Sequence, residues 1–171
     1  MVRPVPLTVP AHNGRRLARQ RVQPSPNRSE MQLHPLLQQD CHLIGRFPLC
    51  HLLLMQDANY PWFILVPDRA DITEIYQLQD ADRQRLMDES VMLSRVLQAV
   101  FAPDKLNIAA LGNIVPQLHL HHIVRYRDDP AWPDPVWGRV ARREYTDAGR
   151  REVLDRLGHA MHDVSVFSAV Q

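Results

Sequence analysis

The sequence has little cysteine, no long apolar run and almost no net charge. Its two cysteines, Cys41 and Cys50, are too few for a disulfide framework and favour a reducing, cytoplasmic setting. They flank the short segment GRFP, so a redox-active bridge is an alternative to plain thiols. No stretch of about 18 apolar residues predicts a transmembrane helix, and the N-terminus lacks the apolar block of a signal peptide. We therefore expect no membrane partner.

The net charge of +1 conceals an uneven distribution along the chain. Residues 1–30 contain six arginines, one acid and five prolines, whereas the rest carries 14 basic and 18 acidic residues. Because the first segment can bury little apolar area and proline interrupts any helix there, we predict a disordered basic leader. One domain is predicted over residues 31–171, including a C-terminal helix. Its acidic balance argues against a nucleic-acid partner.

The patterned part of the chain alternates short apolar runs with helical periodicity. Strands are predicted over residues 49–56, 62–67, 105–111 and 116–126. A short helix is predicted from Asp71 and a last helix from Thr146. A longer helix of roughly 20 residues is predicted over residues 81–101, with Asp80 as its N-cap and Pro103 just after its end. The proline-rich residues 128–138 predict a packed loop. Strands in hairpins with helices between and after them predict an α+β fold with an antiparallel sheet.

Histidines are concentrated on the last predicted strand, in the segment VPQLHLHHIVRY. Side chains alternate along a strand, so Gln117, His119 and His121 share one face, and Leu118 and Leu120 share the other. We expect the two leucines to be buried against the long helix. The glutamine and the two imidazoles are expected to line a cleft.

Three interpretations of this polar row are open. It can be a solvated face, although imidazole is a poor generic choice for contact with solvent. It can supply two zinc ligands, but zinc needs three or four, and no Cys-x-x-Cys or His-x-x-x-His pair stands nearby. It can serve nucleophilic catalysis, in which one neutral imidazole attacks while an adjacent imidazolium stabilises charge and protonates a leaving group. The preceding Leu-Gly-Asn turn brings backbone N–H groups and the Asn113 amide close, which suits phosphate oxygens.

The segment GNIVPQLHLHHIVRY resembles the signature of the histidine triad (HIT) family, Gly-Gln-x-x-x-His-φ-His-φ-His-φ-φ, where φ is an apolar residue. Gly112 takes the glycine position and Asn113 replaces the glutamine. Gln117 stands at the first triad histidine, and His119 and His121 stand at the second and third. The segments YPWFILVPDRADI, LNIAAL and AWPDPVWG are similar to further parts of the family pattern. The resemblance covers residues from about 40 to 138.

This resemblance implies a HIT-like nucleotide-binding fold, usually a homodimer, with hydrolysis or transfer at a nucleotide α-phosphate. We expect no cofactor and no metal. The middle histidine of the family attacks phosphorus, and water then cleaves the nucleotidyl-histidine. Carried over, His119 is the nucleophile, and His121 contacts the α-phosphate and helps to protonate the leaving group. Gln117 is a neutral phosphate or orienting ligand. The candidate nucleotide-binding residues are Asn107, Gly112 and Asn113.

Two imidazoles of the family pattern are absent from this sequence. Gln117 cannot shuttle a proton, and a histidine that many members carry in the hairpin strand aligns with Trp62. In addition to the metal-site interpretation, two hypotheses about function therefore remain. One is an active enzyme of the phosphoramidase or dinucleoside polyphosphate hydrolase type. The other is a nucleotide-binding module that is catalytically weak or inactive.

Overall fold

A computed structural model describes residues 31–162 and 164–170, so the predicted leader lies outside the described residues. The helices are α1 (Pro35–Asp40), α2 (Asp80–Phe101) and α3 (Asp147–His162). The strands are β1 (Cys41–Arg46), β2 (Cys50–Met55), β3 (Trp62–Pro67), β4 (Lys105–Ala110), β5 (Leu120–Arg125) and β6 (Ser168–Ala169). None of the helices in these ranges is long and apolar enough to cross a membrane.

The six strands form one sheet in the order β4-β5-β3-β2-β1-β6, and every neighbouring pair is antiparallel. The predicted α+β fold is therefore confirmed. One face of the sheet packs against α2 and α3 in the larger apolar cluster. Leu118 and Leu120 are buried in this cluster with Leu93 and Leu97 of α2, as the alternation predicts. The side chains on the other face of β5 are thereby directed away from α2.

The second face of the sheet carries a smaller apolar cluster, which forms the floor of the candidate site. Leu37 of α1 packs there with Trp62 and Ile64 of β3 and with Val136 of the loop that follows β5. All six residues of β3 are buried because both of its faces are covered. This two-sided burial explains why WFILVP is a continuous apolar run rather than an alternating one.

Strand β5 begins four residues later than the sequence predicts. Pro116 lacks a backbone N–H and cannot join a ladder fully, and the N–H of Leu118 donates to the carbonyl of Ile72 instead of a strand neighbour. The helix predicted from Asp71 is also wrong. Asp71 has a left-handed backbone (φ 58°), and only a 3-10 turn over Ile75–Gln77 follows.

The two cysteines are buried free thiols, and each begins a strand: Cys41 begins β1 and Cys50 begins β2. Cys41 pairs with Met55 at the end of β2, whereas Cys50 begins that strand and pairs with Pro67 of β3. Burial raises the pKa of the Cys41 thiol to about 12, with a further contribution from Asp40. The thiolate that redox exchange needs is therefore disfavoured, and the structure gives no support to a redox bridge.

Candidate active site

A cavity of about 330 Å³ lies on the second face of the sheet, between α1 and the loop that joins β4 to β5. We call it the imidazole cavity, because His119 and His121 line it. Most of its wall is apolar and comes from α1, β2, β3 and residues 111–115. Both imidazoles are only 6% exposed. They are neither solvated surface groups nor sealed in a core, because each borders an open space.

His119 is held by the backbone two residues before it. Its Nδ1 lies 2.7 Å from the carbonyl oxygen of Gln117. A carbonyl can only accept, so Nδ1 carries the proton and Nε2 of the neutral ring keeps its lone pair. Burial lowers the pKa of His119; the hydrogen bond to the Gln117 carbonyl partly opposes this effect, and the charge of His34 adds a lesser lowering. His119 is thus a neutral imidazole with a free nucleophilic nitrogen near neutral pH.

His121 has the opposite arrangement of its ring nitrogens. The indole N–H of Trp62 lies 2.9 Å from its Nδ1. An indole can only donate, so Nδ1 is the acceptor and the proton of the neutral ring is on Nε2. Burial lowers the pKa of His121 to about 3, with further contributions from His119 and His122. This environment disfavours the imidazolium at His121 that the sequence predicts as a proton source for the leaving group.

The two imidazole rings form a compact cluster with two tryptophans. The ring centroids of His119 and His121 are 4.8 Å apart at an interplanar angle of 79°. Trp137 lies 5.3 Å from the ring of His121 and 5.6 Å from that of Trp62, in edge-on contact with both. The same apolar pocket therefore holds the lone pair on Nε2 of His119 and the N–H on Nε2 of His121.

Gln117 is placed differently from the sequence prediction. Its Oε1 accepts a hydrogen bond from the backbone N–H of His34 at 2.8 Å, and its Nε2 donates to the Gln32 carbonyl at 3.1 Å. The side chain lines a neighbouring cavity of about 520 Å³ rather than the imidazole cavity. The reason is that Gln117 precedes β5, so strand alternation does not extend back to it. Its contacts fit an orienting ligand better than a phosphate ligand.

The three candidate nucleotide-binding residues are only partly brought together. Asn113 lines the imidazole cavity, and Gly112 precedes it in the same exposed loop. Asn107 lies on β4, where its Oδ1 accepts a hydrogen bond from Arg125 at 2.7 Å, and it lines a separate cavity beside Trp137. Asn107 is therefore a structural partner of Arg125 in this arrangement.

A buried arginine holds the loop that carries Trp137. Arg125 is 1% exposed and makes two hydrogen bonds to the Asp129 carboxylate, at 2.6 and 3.0 Å. A third bond, at 3.0 Å, goes to the carbonyl of Asp134. The guanidinium also lies 5.7 Å from the centre of the Trp132 ring. Because these contacts span residues 129–134, they fix the part of the loop that leads to Trp137 beside His121.

The described part of the chain contains no group of three His, Cys, Asp or Glu side chains placed to hold a metal ion. His119 and His121 thus have no third protein ligand of these types within residues 31–162 and 164–170. A zinc site needs at least three protein ligands. The donor set around this pair does not fit the metal interpretation.

Comparisons with known proteins identify the family. The HIT domain family model matches residues 37–128, more than half of the chain. A histidine triad protein from Marinobacter aquaeolei is 47% identical with a TM-score of 0.76, covering 80% of this chain and 100% of that one. One from Bradyrhizobium japonicum is 43% identical with a TM-score of 0.75, covering 77% and 98%. One from Sinorhizobium meliloti is 40% identical with a TM-score of 0.73, covering 75% and 96%. The search of curated proteins found no match. The chain belongs to the HIT domain family.

Proposed function

We propose that the protein is a nucleotide hydrolase or nucleotidyl transferase that acts at an α-phosphate through a covalent intermediate on His119. The observation that carries this proposal is the complementary pair of nitrogens. A carbonyl leaves Nε2 of His119 free to attack, and an indole leaves Nε2–H of His121 free to donate. Membership of the HIT domain family suggests nucleotide-binding hydrolase or transferase activity and supports the same conclusion.

The first step is attack of His119 on phosphorus. The Nε2 lone pair forms an N–P bond while the bond to the leaving group breaks, and the leaving group departs with that electron pair. The positive charge that develops on the ring is stabilised by the bond from Nδ1–H to the Gln117 carbonyl. His121 donates from Nε2–H to a non-bridging phosphate oxygen. Water then attacks phosphorus and forms a P–O bond while the N–P bond breaks. The electron pair returns to Nε2, which restores neutral His119, and the proton of the water passes to solvent.

The nucleoside occupies the apolar part of the imidazole cavity. Leu36 and Leu37 of α1 and Ile64 of β3 supply the apolar wall that a base would contact. Asp40 and Asn113 line the same cavity and can hydrogen-bond ribose or phosphate oxygens. The carboxylate of Asp40 also accepts a hydrogen bond from Nη1 of Arg142 at 2.9 Å.

A screen of nucleotide substrates tests the proposal directly. Adenylyl and guanylyl phosphoramidates, dinucleoside polyphosphates and one activated nucleotidyl ester are incubated with wild type, and release of the mononucleotide is followed. Turnover of at least one class, lost in His119→Ala, is expected. Nucleotide binding without turnover of any substrate would contradict the proposed chemistry. That result would support the second candidate function, a nucleotide-binding module without turnover. The absence of imidazoles at positions 62 and 117 is the observation in favour of this candidate.

We also propose a homodimer formed through α2 and β4. Strand β4 lies at one end of the sheet, so its outer edge has no strand partner among the described residues. Beside it, Met87 and Val91 of α2 and Ile108 of β4 are exposed around an apolar groove of about 660 Å³. An edge strand with adjacent apolar surface is suited to pairing across a two-fold axis.

Sedimentation at micromolar concentration tests this assembly. Wild type is expected to sediment as a species of twice 19.8 kDa. Ile108→Arg is expected to shift the protein to a single chain, because it places a charge in the apolar interface. A wild type that sediments only at 19.8 kDa would contradict the dimer.

We further propose that the domain spans residues 31–171 and works in the cytoplasm. Leu157 and Met161 of α3 are buried in the same cluster as α2, which supports inclusion of the C-terminal helix. Residues 32 and 34 contact Gln117, which supports a start near residue 31. The two free thiols support a reducing compartment.

Deletion of residues 1–30 is expected to leave the melting temperature and nucleotide binding unchanged. The segment has no amphipathic period that would link it to the domain, and the contacts of Gln117 to residues 31, 32 and 34 are retained. Thermal unfolding and nucleotide titration of the full and shortened chains make the comparison. A fall of several degrees would show that the leader packs against the domain.

A further inference from the structure

Trp62 occupies the first position of β3, directly across the sheet from β5. It pairs with Ile123 in the ladder, and its side chain is 5% exposed. Its indole N–H is 2.9 Å from Nδ1 of His121, and the two ring centroids are 5.4 Å apart at 66°. Both partners are buried, so water does not compete for this hydrogen bond.

We propose that Trp62 is a positioning residue that fixes His121 as a neutral donor with its proton on Nε2. The inference rests on the proposed function, because it assigns the state of His121 that stabilises the transferred phosphoryl group. The tautomer follows from the partner, since a group that can only donate must meet a nitrogen lone pair. The indole also fixes the plane of the imidazole, and therefore the direction in which Nε2–H points.

The same hydrogen bond excludes one role for His121. Protonation of Nδ1 would place two N–H groups against each other, so the indole stabilises the neutral ring over the charged one. A neutral imidazole that gave up its Nε2 proton would become an imidazolate, which is not accessible near neutral pH. His121 therefore acts through hydrogen bonding to phosphate oxygens. The leaving group departs with its electron pair and takes a proton from solvent.

The hydrogen bond itself can be detected by NMR in the intact wild-type protein. In uniformly ¹⁵N-labelled protein, a scalar coupling across the bond is expected between Nε1 of Trp62 and Nδ1 of His121, with the His121 proton on Nε2. The indoles of Trp132 and Trp137 are internal controls, because within the described residues neither donates a hydrogen bond to an imidazole and neither should show the coupling. Absence of the coupling at Trp62, or a proton on Nδ1 of His121, would overturn the inference.

An isosteric substitution tests the consequence for catalysis. Benzothienylalanine at position 62 replaces the indole N–H with sulfur and keeps the ring shape. The pKa of His121 is expected to rise, while kcat falls by about 10- to 100-fold and KM changes little. The other titratable side chains that border this cavity, or that interact electrostatically with the His121 ring, are His119, His122, Asp40 and Cys41, and the analogue leaves all of them in place.

The outcomes separate the two proposals. An unchanged His121 titration and unchanged kcat in the analogue would overturn the role of Trp62, whatever the substrate. A coupling in wild type together with unchanged kcat in the analogue would show that the bond exists but does not position a group for the reaction, which also overturns the role of Trp62. A wild type that shows the coupling but turns over no nucleotide would contradict the proposed function and leave the tautomer assignment standing.

Discussion

Replacing His119 with alanine is expected to lower turnover by at least about 10³-fold, because no neighbouring group can take over a covalent step. His119 is the imidazole in this site whose Nδ1 is bonded to a carbonyl and whose Nε2 is free. His121 presents a proton instead of a lone pair, and Gln117 has no nucleophilic nitrogen. Nucleotide affinity should fall much less than kcat, since the apolar wall of the cavity is unchanged.

His121→Ala is the matched comparison for this result. It removes a hydrogen-bond donor to the phosphate but leaves the attacking nitrogen, so a smaller loss of roughly 10- to 10³-fold is expected. Rates of both variants are measured on one phosphoramidate and one activated ester, with and without a chelator. Equal losses at both histidines, together with full chelator sensitivity of wild type, would support metal chemistry and contradict the nucleophilic role of His119.

Arg125→Leu is expected to lower the free energy of unfolding by about 3 to 5 kcal/mol, because it leaves a buried carboxylate without its cation. The Asp129 side chain that Arg125 binds is 4% exposed. The matched control is Arg127→Leu. Arg127 pairs with Asp104 at 3.5 Å and is 80% exposed, so its loss should cost less than about 1 kcal/mol. Urea unfolding of the three proteins at neutral pH measures the difference, and equal effects of the two substitutions would contradict it.

The effect of Arg125→Leu should also depend on pH. Burial alone would raise the pKa of Asp129, but hydrogen bonds from Arg125 and from backbone N–H groups outweigh it and hold the pKa below its ordinary value. A carboxyl with a lowered folded-state pKa contributes stability above its unfolded pKa of about 4 and loses that contribution as the pH falls further. The difference in the free energy of unfolding between wild type and Arg125→Leu should therefore be largest at neutral pH and should become smaller in acid.

The sequence predicts the fold and the central histidine pair because both depend on local patterns. The run WFILVP is apolar on both faces and becomes the central strand β3. The alternation of His119 and His121 with leucines places the imidazoles opposite α2. Patterns of period two are sufficient for these assignments as long as the residues lie in a strand or next to it.

The placements that differ from the predictions depend on tertiary contacts. Gln117 leaves the row because Leu118 bonds to Ile72 and the strand starts later. The side chain of Asn107 accepts a hydrogen bond from Arg125. The other partners of Arg125 are set by the fold of the loop at 129–134. The sequence aligns Trp62 with a missing histidine but gives no sign of its bond to His121. These contacts join residues that are far apart in the chain, so no local pattern reports them.

The nucleotidyl group on His119 is the species that defines the proposed chemistry. Wild-type protein is mixed with a nucleotidyl substrate, quenched in alkali during turnover, digested and examined by mass spectrometry. We expect one nucleotide monophosphate on the peptide that contains residues 117–125, localised to His119, labile to acid and absent from His119→Ala. Turnover without any such adduct, or with the nucleotide on a different residue, would contradict the assignment of His119 as the nucleophile.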